Sequence, residues 1–245
     1  MLNPELNTNI DTIRQIYQNA NPYPHIVIDN FLSPKILDVC LDEMSQYDAW
    51  STDTTEEVKS VQINKFYSPS SERHELEDSL KQMKNKAPIT RAVLDYLYSE
   101  PTFEFMTSLT GISNLKGDET WLGAGMHKVV NGGRLAIHAD FNRNWFTGLY
   151  RRINLLVYLN KDWKPEYGGE LEIWNTDMSA CAGKIAPIFN RAVIFTTFKN
   201  SYHGHPTPMT LPEDVARYSL ALYYFTAEPP ENDEIEYRRV DWQVT

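Results

Sequence analysis

The chain has 245 residues, 42% of them hydrophobic, and its 23 basic and 33 acidic side chains give a formal net charge of −10. This acidic surplus argues against nucleic acid as a partner, because a protein that binds a phosphate backbone needs clustered Lys and Arg. No apolar run reaches the ~18 residues that a membrane-spanning helix requires, and the N-terminus lacks the features of a secretory signal. We therefore predict a soluble, cytoplasmic protein with no membrane partner, folded as one domain over residues 1–245.

The first part of the chain, residues 1–120, is rich in the apolar spacing that predicts helices. Its polar segment 51–76 contains one candidate strand and is predicted to be a surface loop or lid. Cys40 lies in a helical stripe, and both Cys40 and Cys181 are predicted to be buried thiols, since two cysteines make no disulfide framework. The predicted elements are a helix near 10–17, a strand at 25–28, a helix from 34 to about 44, a strand at 61–67, and helices at about 90–99 and 102–110.

From residue 121 to residue 226 the pattern changes to short β-branched or aromatic runs separated by turn residues, which predicts a sandwich, barrel or jelly roll. In the run 152–159 every second residue is apolar, and the face that these residues share is expected to pack in the core. The opposite face of this strand carries Arg152, Asn154 and Tyr158, which are expected to face an interior that holds a ligand. The candidate strands are 121–130, 134–139, 152–159, 169–174, 183–187, 192–197, a short one after His203, and 217–226, followed by a tail at 227–245.

A candidate metal site lies in this β-rich part. On a strand, residues two apart project from the same face, so His138 and Asp140 are able to bind one ion together, with His203 supplied by a neighbouring strand. Two imidazoles and one carboxylate leave three positions open, as non-haem Fe(II) needs for a co-substrate and O₂. Zn²⁺ accepts the same ligands, and a zinc hydrolase is an alternative. Structural roles at a barrel rim and in an Asx turn are the other alternative for His138 and Asp140.

Arg217 is the candidate for binding an anion. A guanidinium inside a β-barrel is poorly solvated unless it meets an anion, and its fork geometry matches a carboxylate. Ser219 lies on the same face of the predicted strand and is placed to donate a second hydrogen bond to that anion. The alternative is an internal ion pair between Arg217 and Glu170 or Glu172.

These residues occur in an order that resembles the 2-oxoglutarate- and Fe(II)-dependent dioxygenases, in the prolyl 4-hydroxylase-like branch. The resemblance covers about residues 23–226. It rests on YPHIVIDNFL at 23–32, His138-x-Asp140, RINLLVYLN at 152–160 with Asp162-Trp163, GGEL at 168–171, Asn190-Arg191 before an apolar run, His203, and Arg217-x-Ser219.

The resemblance implies a mainly β fold, a double-stranded β-helix or cupin-like jelly roll, with helices that buttress one sheet. It implies that His138, Asp140 and His203 ligate iron and that Arg217 and Tyr158 bind the distal carboxylate of 2-oxoglutarate. The order Ser-aromatic-His-Gly favours His203 over His205 as the third ligand. Two features differ from parts of the family, since collagen-type enzymes use a lysine where Arg217 stands, and His127 replaces a tyrosine of some relatives.

The implied activity is oxidative decarboxylation of 2-oxoglutarate to succinate and CO₂, coupled to hydroxylation of a C–H bond, with Fe(II), O₂ and ascorbate as a supporting reductant. The substrate is expected to be a small molecule or a peptide, and peptidyl-proline, a free amino acid and another metabolite are all alternatives. The sequence does not determine the oligomeric state. Candidate substrate contacts are Arg143, Arg151, Trp121, Trp174 and the segments 51–76 and 141–150. A cupin-like binding protein or a pseudo-enzyme without turnover is the competing hypothesis.

Overall fold

The computed structural model describes residues 1–52, 62–70, 74–231 and 237–243. Residues 53–61 and 71–73 of the predicted loop or lid at 51–76 therefore lie outside the described residues. Within the described residues no helix is long and apolar enough to cross a bilayer.

Six α-helices are described, and they come early in the chain. The four predicted helices are confirmed, and the last of them ends at Gly111, which has the left-handed backbone angle φ of 80°. The helix at 76–86 was not predicted, because its apolar stripe is short and is interrupted by charged residues. The helices are α1 (Glu5–Thr8), α2 (Ile10–Gln18), α3 (Pro34–Gln46), α4 (Leu76–Lys86), α5 (Pro88–Leu97) and α6 (Glu100–Thr110).

Ten strands join in a mostly antiparallel sheet that curls into a nearly closed jelly roll, which confirms the predicted fold. Their order is β1-β7-β4-β9-β3-β8-β5-β6, and β2 and β10 also pair with β3. The strands are β1 (His25–Asp29), β2 (Gln62–Ser68), β3 (Gly125–Ala139), β4 (Tyr150–Tyr158), β5 (Leu171–Trp174), β6 (Cys181–Ile185), β7 (Arg191–Thr196), β8 (His203–His205), β9 (Arg217–Thr226) and β10 (Asp241–Gln243).

Strand β3 replaces the two strands predicted at 121–130 and 134–139. The glycines at 132 and 133 indicated a break, but the chain continues as one strand of 15 residues. Its first part pairs with β9 between Gly125 and Val129, and its last part pairs with β8 and β10. One long strand thus serves both sides of the jelly roll.

Strand β4 separates the hydrophobic core from the interior. Its Leu155 packs with helix residues such as Leu37 and Leu94 in the larger core cluster, whereas Tyr158 belongs to a smaller cluster with Phe195. Helices therefore cover one face of the sheet, as predicted, and the other face is free to line a cavity.

The prediction that Arg152 faces the interior is wrong. The pairing of β4 with β9 shifts register between Arg151 and Ile153, and such an irregularity reverses the alternation of side chains. Arg151 consequently lines the cavity together with Asn154, while Arg152 donates from Nη1 to Thr226 Oγ1 at 3.0 Å. Tyr158 keeps its predicted interior place.

The predicted C-terminal tail at 227–245 contributes a short strand to the sheet. Strand β10 pairs with the end of β3, where Trp242 lies opposite His138, and Tyr202 donates its hydroxyl to Asp241 Oδ2 at 2.9 Å. No strand was predicted there, because three residues are too few to show a period and their partner strand is about a hundred residues earlier.

The cysteines differ in burial. Cys40 is fully buried, as predicted. Cys181 is half-buried at the start of β6, the last strand of the sheet order, so the prediction for Cys181 is wrong.

Candidate active site

His138, Asp140 and His203 come together at one end of β3. His138 and His203 are directly paired across β3 and β8, and Asp140 follows the last residue of β3. One ligand atom from each of the three side chains lies within 4.8 Å of the others. The three residues are 5–7% exposed, so the group is buried at the wall of a cavity.

Backbone carbonyls fix the orientation of both imidazoles. His138 Nδ1 bonds to the Ala136 carbonyl and His203 Nδ1 bonds to the Ser201 carbonyl, each at 2.9 Å. A carbonyl oxygen only accepts, so each Nδ1 carries the proton and each Nε2 is left with its lone pair. Both Nε2 atoms lie 3.6 Å from an oxygen of Asp140.

The surroundings set the charge states that a metal requires. Burial, reinforced by the neighbouring His138, lowers the pKa of His203 to about 4, so the ring is neutral at pH 7. Burial opposes ionisation of Asp140, but Arg151 and the two imidazoles outweigh it and hold the pKa of Asp140 well below its usual value. Neutral imidazole and ionised carboxylate are the metal-binding forms.

The donor set fits Fe(II). The ligand set of non-haem Fe(II) oxygenases is two imidazole nitrogens and one carboxylate. Here the second nitrogen of each imidazole is protonated and is held by a backbone carbonyl. His205, the alternative third ligand, lies outside this cluster. Its Nδ1 is buried and has no hydrogen-bond partner among the described residues.

Arg217 lies buried in the same cavity without an acidic partner in the described part of the chain. Its Nε donates to the Gly169 carbonyl at 2.8 Å, and its Nη2 donates to the Tyr158 hydroxyl at 3.3 Å. The expected alternative, a pair with Glu172, does not form, because Glu172 binds Lys184 at 2.7 Å. Ser219 is buried and also lines the cavity.

The cavity has a volume of about 1070 Å³, and binding cavities for small ligands are typically ~300–1,000 Å³. Phe141, Trp145 and Phe146 line it, as expected for segment 141–150. Arg143 does not, because its Nε donates to the Gly148 carbonyl at 2.9 Å and its guanidinium lies over Tyr150.

The tryptophans and Arg151 correct the predicted substrate contacts. Trp121 is buried beside Tyr98, and Trp174 donates its Nε1 to Glu172; neither lines the cavity. Arg151 lines it but lies 3.0 Å from Asp140 Oδ2, so its charge is already paired.

Sequence reasoning missed three residues beside the metal ligands. Asn154 donates to Asp140 Oδ2 at 2.7 Å, Arg151 pairs with the same oxygen, and the Trp242 ring lies 4.7 Å from the His138 ring. Asn154 was expected in the interior without a role. The contacts of Arg151 depend on the register shift in β4, which no pattern in the sequence indicates.

Residues 124–225, which contain all three ligand candidates, match the sequence profile of the 2OG-Fe(II) oxygenase superfamily. This region of the chain is similar to that superfamily. Fe(II), 2-oxoglutarate and O₂ are accordingly the cofactor and co-substrates of the family, and the matched region spans β3 to β9.

The chain is similar to a curated protein whose name describes a prolyl dioxygenase. It is 24% identical over 219 residues to the prolyl 3,4-dihydroxylase OGFOD1 of Ostreococcus tauri. That match covers 86% of the chain but only 39% of the relative, so the chain spans about two fifths of the relative's length.

Solved structures share the fold of this chain. A prolyl hydroxylase of Trichoplax adhaerens, in complex with a peptide of hypoxia inducible factor, superposes with a TM-score of 0.54 at 18% identity, covering 90% of this chain and 92% of that one. A prolyl 4-hydroxylase of Phytophthora capsici superposes with a TM-score of 0.57 at 15% identity, covering 93% of this chain and 67% of that one. At these identities the likeness supports the jelly-roll fold.

Proposed function

We propose that the chain is a non-haem Fe(II) dioxygenase that couples decarboxylation of 2-oxoglutarate to hydroxylation of a C–H bond. The observation that carries the proposal is one cavity wall on which two imidazoles and a carboxylate converge, in a cavity that also contains an arginine with no acidic partner among the described residues. The first group fits the metal and the second fits a carboxylate of the co-substrate.

The residues of the chain have distinct tasks in this function. His138, Asp140 and His203 would hold the metal from one side, so that its remaining positions face the cavity. Arg217, supported by Tyr158 and with Ser219 beside them, would bind the distal carboxylate and orient the co-substrate. Fe(II) with 2-oxoglutarate and O₂ supplies the oxidising chemistry when bound. The buried walls exclude water from the reacting groups.

A prolyl residue is the substrate that we favour, with another amino acid, a peptide or a small molecule as the wider class. The support is the prolyl 3,4-dihydroxylase name of the curated relative. Trp145 and Phe146 also line the cavity and are 52% and 42% exposed, so they offer aromatic faces to an apolar ring. The expected cytoplasmic location and the single domain both stay predictions.

The function is tested by anaerobic loading of the chain with Fe(II), followed by 2-oxoglutarate, ascorbate and O₂. Prolyl peptides, free amino acids and a cell extract are offered as substrates. We expect succinate and a product heavier by one oxygen, both absent with Asp140→Ala. Succinate no higher than in that variant contradicts the proposal, and in that case ligand binding would indicate a binding protein. Activity with zinc and without 2-oxoglutarate would indicate a hydrolase.

The carboxylate site gives a separate prediction. Replacing Arg217 with Met removes a charge-assisted pair, of a kind that contributes about 1.5–3 kcal/mol, so we expect the Kd for 2-oxoglutarate to rise roughly tenfold to a hundredfold. Calorimetry on the metal-loaded protein measures this. Arg143→Met is the matched control, since Arg143 lies away from the cavity, and it should leave the Kd unchanged. An unchanged Kd in Arg217→Met would contradict the assignment.

A further inference from the structure

The two carboxylate oxygens of Asp140 have different neighbours. Oδ2 accepts a hydrogen bond from Asn154 Nδ2 at 2.7 Å and lies 3.0 Å from Arg151 Nη2. It also lies 3.6 Å from His203 Nε2. Among the described residues only the His138 imidazole approaches Oδ1, at 3.6 Å. The carboxylate therefore presents one oxygen that is held by donors and one that is left for a ligand.

Arg151 and Asn154 form a closed unit with Asp140. Arg151 Nε donates to Asn154 Oδ1 at 3.0 Å, and all three residues are at most 7% exposed. The Arg151 guanidinium also lies 3.4 Å from the centre of the Tyr223 ring. Packing on an aromatic face restricts a guanidinium, so the orientation of Arg151 is fixed independently of Asp140.

The register shift in β4 makes this unit possible. Arg151 and Asn154 are three residues apart, and on a regular strand they would face opposite sides. The irregularity between Arg151 and Ile153 turns both toward the cavity. It brings a hydrogen-bond donor, Asn154, and a cation, Arg151, to the same carboxylate oxygen.

An Asp ligand binds a metal through one oxygen or through both. If both oxygens of Asp140 bound, they would take one of the three positions that two histidines and one carboxylate leave open, and those positions must accept a chelating co-substrate and O₂. The hydrogen bond from Asn154 and the adjacent charge of Arg151 hold Oδ2 and oppose two-oxygen binding. This reasoning rests on the function proposed above.

We propose that Arg151 and Asn154 are positioning residues that restrict Asp140 to one-oxygen metal binding and so keep a coordination position open for 2-oxoglutarate. Neither residue needs to contact the metal or the substrate for this role. Their removal affects co-substrate binding more than metal binding, because Asp140 stays a metal ligand and blocks the position that the keto acid requires.

The test uses Co(II), whose visible spectrum reports its coordination, on the full chain. Asn154→Leu and Arg151→Met remove the donors, Arg151→Lys restores one cation, and Arg152→Met is the matched control on the other face of β4. Metal-free proteins are titrated with Co(II), and the loaded proteins are then titrated with 2-oxoglutarate, both by calorimetry. Circular dichroism and thermal unfolding establish that each variant is folded.

We expect the Kd for Co(II) to change less than threefold in Asn154→Leu and Arg151→Met, while the Kd for 2-oxoglutarate rises at least tenfold and the Co(II) spectrum changes before co-substrate is added. Arg151→Lys should recover part of the affinity, and Arg152→Met should match the wild type. If Arg151→Met does not fold, Asn154→Leu and Arg151→Lys are compared with the wild type instead.

Two results would overturn the proposal. The first is a Kd for 2-oxoglutarate within threefold of the wild type in folded, loaded Asn154→Leu. The second is an equal loss of Co(II) and 2-oxoglutarate affinity, which would indicate a structural role only. Failure of the wild-type protein to bind Co(II) and 2-oxoglutarate would instead contradict the proposed function.

Discussion

At the scale of single residues, the interior of the jelly roll contains several buried histidines. His127, His138, His203 and His205 are all at most 6% exposed. His127 donates from Nε2 to the Gly123 carbonyl at 2.9 Å. Burial, followed by the charge of Lys65, holds the pKa of His127 well below its usual value. Such a group weakens folding in acid, because the unfolded state takes up a proton that the folded state refuses.

The sign of this effect gives a prediction for His127. Its folded pKa is depressed below an unfolded value of about 6.5, so stability falls as the pH drops below that value. The variant His127→Gln keeps a donor for the Gly123 carbonyl. We expect its free energy of unfolding to fall less in acid than that of the wild type, by up to about 1.4 kcal/mol per pH unit. Urea unfolding of metal-free protein between pH 7.5 and pH 5 measures it.

The exposed His74 supplies the control for this measurement. Its side chain is 78% exposed and meets water in both the folded and unfolded states, so His74→Gln should follow the wild-type curve. Parallel curves for His127→Gln and the wild type would mean that the buried imidazole does not contribute to acid sensitivity.

At the scale of elements, the contact between β8 and β3 sets the spacing of the two histidine ligands. A Cβ added at Gly204 would lie 2.7 Å from the Ala136 carbonyl oxygen and 2.9 Å from the Leu135 carbonyl oxygen. The Ala136 oxygen is also the acceptor that orients His138. Backbone atoms cannot move aside as a flexible side chain can, so glycine at 204 allows β8 to approach.

We therefore expect Gly204→Ala to push β8 away from β3 and to separate His203 from His138. Overpacking of this kind typically costs about 1–3 kcal/mol of stability, and affinity for Co(II) should fall at least tenfold. Urea unfolding and metal titration measure the two effects. Gly183→Ala on β6 is the matched control, because an added Cβ there has no atom within 4 Å. Equal behaviour of the two variants would contradict the packing argument.

At the scale of the whole molecule, the proposed metal ties together parts of the chain that are far apart in sequence. His138 and Asp140 close β3, His203 opens β8 about 65 residues later, and Trp242 of the C-terminal β10 packs on the His138 ring. A ligand that binds only the folded state stabilises that state by an amount that grows with the logarithm of the free ligand concentration relative to Kd.

Metal addition is therefore expected to raise the melting temperature. At a free metal concentration of 100 times Kd the gain is about 2.7 kcal/mol, which for a chain of this size corresponds to roughly 5–11 °C. Differential scanning fluorimetry with and without a chelator measures the shift. His138→Ala, which removes one ligand, should lose it, and an equal shift in that variant would place the metal elsewhere.

The sequence by itself determined the fold class, the helix-covered face and the residues of the metal cluster. Periodicity and turn residues are local properties, and the spacing His138-x-Asp140 places both side chains on one face of any strand. The order of motifs then pointed to His203 and Arg217, which the structure brings into one cavity.

Tertiary structure alone decided the surroundings of that cluster. The register shift that turns Arg151 inward, the strand β10 that places Trp242 on His138, and the close approach at Gly204 all depend on partners distant in sequence. Alternation predicts a face only while a strand is regular, and a three-residue strand has no period to detect. The candidate ligand residues were therefore readable from the sequence, whereas the residues that surround them were not.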